Sequence, residues 1–207
     1  MTVLDPLAAF PPDCRHGVVT IGHFDGAHLG HAALLRASRR LADRIGGNAP
    51  VVAVTFEPHA RAVLRPDLPA PAPLTLLADR LEALRAIGAD RAVAIAPTRE
   101  LLDLPAGEFF NRVLVAGLAA RGVVEGPDFC FGKNRTGTMA TLCQLCQAGG
   151  VELVETEMQL LMEELVVQVL LLSNMQLQRL MELEEQLPLL LITASLIKFI
   201  HSLHLEV

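Results

Sequence analysis

Residues 17–31 read Gly17-Val18-Val19-Thr20-Ile21-Gly22-His23-Phe24-Asp25-Gly26-Ala27-His28-Leu29-Gly30-His31. The run from Gly17 to Ile21 is short and apolar and predicts a strand. Gly22 to His31 follows as a loop punctuated by glycines. Leu34, Leu35, Leu41 and Ile45 then recur at helical spacing as far as Gly46-Gly47, which reads as a helix and its C-cap. Strand, glycine-rich loop and helix in that order open a βαβ unit. In an open α/β sheet the ligand lies at the carboxyl ends of the strands, where this loop would sit. Glycines let the backbone approach a phosphate, and a helix N-terminus offers amide donors and partial positive charge. His28 and His31 straddle that helix start, and both can donate to phosphoryl oxygens, with an anion favouring their charged form. A lone histidine is most often solvated or packed. Several histidines, three glycines and Asp25 within ten residues after a strand favour a phosphate cradle.

Working outward, the alternation continues. Val51 to Thr55 predicts a second strand, Leu76 to Ile87 a helix, and Ala92 to Ala96 a third strand. Ala106 to Ala120 predicts a helix and Gly122 to Glu125 a fourth strand. A second glycine-bearing loop spans Gly126 to Gly137, followed by a helix from Met139 to Ala148 and a fifth strand from Val151 to Val154. Strands that read as continuous apolar runs are buried on both faces, as in parallel sheets. The expectation is an α/β fold: a Rossmann-like open parallel sheet with flanking helices, followed by a Leu-rich helical C-terminal segment.

Composition agrees with a globular chain. Of 207 residues, 52% are hydrophobic and 19% charged, which excludes intrinsic disorder. Lys+Arg 17 against Asp+Glu 23 gives −6, so nucleic acid is not an expected partner. The N-terminus lacks a basic segment followed by an apolar run, so no signal peptide is read. Four scattered cysteines do not make a disulfide framework, and a reduced, cytoplasmic setting is expected. After Gly150 glycine disappears and Leu, Glu, Gln and Met dominate. This break suggests two segments, 1–156 as the nucleotide-handling domain and 157–207 as an atypical helical insertion or tail. The apolar run from Leu187 to Ile197, ended by Lys198, is too short for a membrane span, which needs about 20 apolar residues. The amphipathic stretch before it suggests self-association or cover for another surface.

Gly22 to His31 contains His28-Leu29-Gly30-His31, which resembles the HxGH signature of the nucleotidyltransferase superfamily. Thr55-Phe56-Glu57-Pro58-His59, Leu74-Thr75-Leu76 and Gly126-Pro127-Asp128-Phe129-Cys130-Phe131-Gly132-Lys133-Asn134-Arg135-Thr136-Gly137 narrow the likeness. Together these blocks resemble the FMN adenylyltransferase module of bacterial bifunctional FAD synthetases, over about residues 17–154. The resemblance implies transfer of AMP from ATP to FMN, giving FAD and pyrophosphate, with Mg²⁺ accompanying ATP. It implies His28, His31 and Asp128 as catalytic. It implies Gly22, His23, Phe24, Asp25 and Gly30 around ATP, and Phe56, Pro58, His59, Phe129 and Arg135 around the flavin. Phenylalanine is usually core, so Phe56, Phe129 and Phe131 keep both readings open.

The sequence departs from that family at position 60, where Ala stands for the usual Pro, and at two further places. Position 23 is His where the family usually has Asn. A Ser/Thr-x-Ile-Arg block that contacts ATP in the family does not follow Val154 directly, and its echo, Thr193-Ala194-Ser195-Leu196-Ile197-Lys198, makes Ser195 and Lys198 the candidates. No riboflavin kinase module is expected within these residues. Two other readings stay open: a nucleotidyltransferase for another phosphorylated acceptor, and a non-catalytic flavin- or nucleotide-binding remnant. Cys143-x-x-Cys146 has no second pair, so no metal site is expected. His201, His204 and the acidic run Glu182, Glu184, Glu185 read as solvated.

Overall fold

A computed structural model describes residues 3–156 apart from residue 9. The expected Leu-rich helices, with Ser195 and Lys198, lie outside the described residues. The strands are β1 (Val18–Ile21), β2 (Val51–Phe56), β3 (Arg91–Ile95), β4 (Gly122–Glu125) and β5 (Glu152–Glu155). They form one parallel sheet in the order β3-β2-β1-β4-β5. Helix α1 (Leu29–Ile45) links β1 to β2. Helices α2 (Ala60–Leu64) and α3 (Leu77–Ala86) lead to β3, α4 (Arg99–Leu102) and α5 (Ala106–Phe109) to β4, and α6 (Met139–Gly149) to β5. The chain builds outward from β1 to β3, then crosses back to place β4 on the other side of β1. The reversal creates a switch point between β1 and β4, and in open α/β sheets ligands bind outside the carboxyl ends of the strands at such a point.

The side-chain alternation of the strands supplies both faces of the sheet. Val19 and Ile21 of β1, with Val52, Val54, Ile95 and Val123, pack against Phe109, Phe110, Val113, Leu114 and Leu142. Val18, Val51, Ala53, Ala92 and Val124 face the other way, onto Leu35 and Leu41 of α1 and Leu81 and Leu84 of α3. Burial of each such Val, Leu or Phe contributes about 1.5–3 kcal/mol, so two-sided coverage fixes which strands are central. Arg121 donates to the carbonyls of Gly46 (2.9 Å) and Ile45 (3.0 Å), satisfying the last turn of α1 and tying it to the start of β4. At the β3 edge the amide of Leu4 bonds the Ala94 carbonyl (2.8 Å), and that of Ala96 returns to Leu4 (2.9 Å). The edge is thereby covered.

The expected helix from Ala106 to Ala120 is α-helical only through Phe109 and continues as a π-helix over Phe110–Gly117. Its buried side chains come in pairs four residues apart: Phe109 and Phe110, Val113 and Leu114, Gly117 and Leu118. Leu118 donates to the Val113 carbonyl (2.9 Å), five residues back, which is the wider winding.

Candidate functional site

The loop from Gly22 to His28 is held from below and from the side. Phe24, 2% exposed, is driven into the α1–α3 core although its φ of 49° is in the left-handed region. Burial of the ring outweighs a backbone cost of about 1–3 kcal/mol. Thr55 donates its hydroxyl to the His23 carbonyl (2.8 Å). The Asp25 carboxylate accepts from the Leu74 amide (2.8 Å), the Thr75 amide (3.0 Å) and the Thr75 hydroxyl (2.8 Å). Those bonds outweigh burial and hold the carboxyl below its usual range. Asp25 therefore staples this loop to the segment before α3, and the Leu74-Thr75 block in the sequence is the other half of the staple.

His28 is the N-cap residue of α1, where no side chain caps the helix. The amides of Leu29 and Gly30 lie in the first turn, which an anion can complete. The His28 ring folds back over Gly30 and stacks on His31, with centroids 3.6 Å apart. A Cβ on Gly30 would lie 3.0 Å from the His28 ring, so glycine here leaves room for the histidine. Phe24 meets His31 edge-on at 5.0 Å and fixes the other side of the pair. Burial, then the neighbouring His28 charge, lowers His31 to about 3, and burial also lowers His28. Both rings are thus neutral in the free protein, and Nδ1 of His31 is buried without a partner. An arriving anion supplies what burial removed.

A second pair lies beside the first. His23 stacks on His59 at 3.9 Å and meets Phe56 at 5.5 Å. Burial, then the His59 charge, lowers His23 to about 4, and its Nε2 is also buried without a partner. His59 caps α2, its Nδ1 accepting from the Arg61 amide (3.1 Å), which leaves Nε2 as the protonated nitrogen. Pro58 is exposed next to it.

The second loop, 126–137, closes as a small lasso. Phe131 and Gly137 exchange both backbone hydrogen bonds (3.0 and 2.9 Å), and Lys133 donates to the Leu104 carbonyl (2.7 Å). Phe131 is core at 6% exposure, whereas Phe129 is half-buried and stacks on it at 5.5 Å. Phe56 is likewise half-buried and packs on the core's margin. Asp128 and Arg135 are exposed, and Arg135 is close enough for its charge to depress His23. Cys130 and Cys143 are half-buried, whereas Cys146 is buried.

Two site residues gave no signal in the sequence. Arg80 of α3, 5% exposed, donates to the carbonyls of Phe56 and Thr75 (both 3.3 Å) and faces the Glu57 carboxylate at 3.5 Å. It ties the His59 segment to the Asp25 staple. Glu125, 3% exposed, accepts from the Ile21 amide (2.7 Å), and burial raises its carboxyl well above the usual range. A single arginine or glutamate in a strand or helix resembles any solvated one until the fold brings the loops around it.

The pKa directions set an acid response. His23 and His31 have folded values below the unfolded 6.5, so their contribution to stability is full above pH 6.5 and is lost as pH falls towards about 4 for His23 and about 3 for His31. Glu125 has the opposite sign, stabilising below its unfolded value and losing that contribution as pH rises through its raised folded one. We therefore expect the drop in Tm between pH 7 and pH 5 to be smaller in His31→Ala than in the unsubstituted protein. The Glu125 contribution is common to both and cancels. An equal drop in the two proteins removes His31 as an acid-sensitive group.

An open parallel sheet with paired histidines over a helix N-terminus at its switch point is a nucleotide-binding α/β architecture. Within that class the chain belongs to the FAD synthetase family, whose sequence model matches residues 11–169. That match runs on past residue 156. The chain is 40% identical over 126 residues to a bifunctional riboflavin kinase/FMN adenylyltransferase of Pseudomonas fluorescens, covering 61% of this chain and 39% of that protein. To the Escherichia coli K12 protein of the same description it is 34% identical over 140 residues, covering 68% and 44%. The chain thus spans less than half the length of these curated relatives. The fold is similar to the crystal structure of a macrolide-efflux protein from Streptococcus pneumoniae, with TM-score 0.61 and 25% identity over 73% of this chain and 48% of that one. No helix among the described residues is long and apolar enough to cross a membrane.

Proposed function

We propose that this protein is an FMN adenylyltransferase, transferring AMP from ATP to FMN with release of pyrophosphate. The observation that carries this reading is the stacked His28–His31 pair over the N-terminus of α1, on a loop at the switch point of a FAD synthetase family fold. The relatives' printed activity supports FMN as the acceptor.

A phosphate oxygen of FMN attacks the α-phosphorus of ATP in line, and the bond from that phosphorus to the bridging oxygen of pyrophosphate breaks. The nucleophile is already anionic, so the protein needs no base. Its work is positioning and neutralisation of charge on the phosphoryl oxygens. His28, His31 and the first amides of α1 supply the donors. As the phosphates approach, the anionic charge raises both imidazoles towards their protonated forms, so donor strength grows where negative charge collects. MgATP is the substrate form. Among the described residues no group of three His, Cys, Asp or Glu side chains forms a metal site. Mg²⁺ is commonly held by substrate phosphate oxygens with few protein ligands. Phe56 and Phe129 are half-buried, and we assign their rings to the isoalloxazine, with Pro58, His59 and Arg135 as further flavin contacts. Asp128 is assigned a catalytic role near the reacting phosphates, and Gly22 and Gly30 are assigned to the nucleotide cradle. We assign residues 1–156 to the transferase domain. Ser195 and Lys198 remain the proposed further ATP contacts.

The direct test is incubation with FMN, ATP and Mg²⁺, following FAD and pyrophosphate by chromatography. FAD formation with equal pyrophosphate supports the reading. ATP binding without FAD overturns it in favour of a binding remnant, and adenylylation of another phosphorylated acceptor but not FMN overturns the substrate. A sharper geometric expectation concerns Gly30. Alanine is favoured over glycine in a helix by about 1 kcal/mol, so Gly30→Ala should not lower Tm. The added methyl nevertheless presses on the His28 ring, and kcat/KM should fall by about tenfold or more, as small misplacements of reacting groups do. Unchanged kinetics would show that the His28 orientation does not matter.

A further inference from the structure

Strands β1 and β4 lie side by side but stop pairing early. Their register couples Val18 with Gly122 and Val19 with Val123, whereas β1 pairs with β2 as far as Ile21. Beyond Val19 the two strands part, and the Ile21 amide has no β4 carbonyl opposite it. The Glu125 side chain fills that position, its Oε1 accepting from Ile21 at 2.7 Å. The Glu125 backbone is fixed on its far side, where its carbonyl accepts from the Thr156 amide (2.9 Å) and hydroxyl (3.3 Å). The next residue on β1, Gly22, donates to the Val54 carbonyl (3.0 Å). The loop leading to His28 and to His31 on α1 begins at Gly22, and the loop carrying Asp128 and Arg135 begins at Gly126. Glu125 therefore sits between the two roots, one residue from each.

We propose that Glu125 is a positioning residue for adenylyl transfer: its side chain is the spacer between β1 and β4 that fixes the two ligand loops relative to each other. This rests on the reading of the site given above. A bridge of backbone hydrogen bonds would close the gap between the strands, and a small side chain would leave a buried amide unpaired and the loop roots free to shift. A glutamate reaches across the gap and accepts the bond. Burial pushes its carboxyl well above the usual range, towards the neutral form.

The test compares Glu125→Gln, which keeps the length and an acceptor oxygen, with Glu125→Ala, which removes both. Two readouts are taken well below Tm: kcat and KM for ATP and FMN, and amide hydrogen exchange at Ile21 and across both loops. In Glu125→Ala, exchange at Ile21 should rise and kcat should fall about 10- to 100-fold, with each KM within about threefold, because orientation rather than binding is lost. Glu125→Gln should retain protection at Ile21 and kcat within about threefold. A general loss of packing would not be rescued by Gln and would leave kcat of the folded fraction unchanged. Unchanged exchange at Ile21, or unchanged kcat in Glu125→Ala, overturns the proposal. Should Glu125→Ala not fold, Glu125→Met, similar in size but without the acceptor, takes its place. An unsubstituted protein that makes no FAD overturns the transferase reading instead, and exchange at Ile21 and the loops still decides whether Glu125 is the spacer.

Discussion

Replacing both His28 and His31 by Ala should lower kcat/KM for FAD formation by about 10³–10⁴-fold. One donor aimed at developing charge in a water-poor site is worth about 10²–10³. The second does not multiply that in full, because stacked residues that act as a unit are not additive. The rings lie 3.6 Å apart, and each loses its orientation when the other is removed, so either single variant should approach the double. Stability should respond in a different way. His31 is neutral in the folded chain, with Nδ1 buried and unpaired, so its removal relieves an unsatisfied polar atom while losing the contact with Phe24. Those effects oppose each other, and Tm should move little compared with the kinetic loss. Steady-state rates and thermal unfolding of the single and double variants check both halves. A loss under tenfold would mean that the phosphates bind elsewhere.

The parts of the fold that can be read from the sequence are those where local pattern and burial coincide. Strands β1, β2 and β4 are buried almost throughout and read as short runs dominated by apolar residues, with Thr20, Thr55 and Glu125 the exceptions. Helix α1 carries its buried stripe at helical spacing to Gly46. Helices α2 and α4, of five and four residues, had no such signal: α2 buries none of its residues and α4 only Leu101. The π winding of Phe110–Gly117 was hidden because a four-residue recurrence of buried pairs suits either helix type. At the site, the clustered histidines and glycines signalled a phosphate cradle because their density is unusual for a turn. The division of labour within the loop was not legible. Asp25 carries the chemistry expected of a ligand group, yet its oxygens are engaged by the Leu74-Thr75 segment 49 and 50 residues away. Arg80 and Glu125 act through loop roots brought together only by the strand order, so no spacing in the chain marks them.

The glycines of the second loop show the same limit, and they lead to the largest expected effect on stability. In the sequence Gly132 is one of the glycines that punctuate the second loop. In the structure its role is packing. A Cβ at Gly132 would lie 2.7 Å from both the backbone nitrogen and Cα of Ala106, which cannot rotate away. Its φ and ψ of 71° and 178° also fall in a region open essentially to glycine alone. Gly132→Ala therefore combines backbone strain with a backbone clash, and the expected cost is about 3 kcal/mol or more. The protein can lower that cost only by lifting the loop from the start of α5, which breaks the Lys133–Leu104 bond and frees Arg135. Two outcomes follow from one substitution: Tm falls by about 6 °C or more for a domain of this size, and the folded fraction loses whatever Arg135 contributes to the flavin side. Gly150→Ala is the control, since it has a left-handed φ of 65° and nothing within 4 Å of its added Cβ. It should cost only the strain of the left-handed region, about 1 kcal/mol, and leave the kinetics unchanged. Equal losses in the two variants would mean that strain alone accounts for Gly132. A larger loss at Gly132, with altered KM for FMN, would tie the seat of the loop on α5 to the shape of the site.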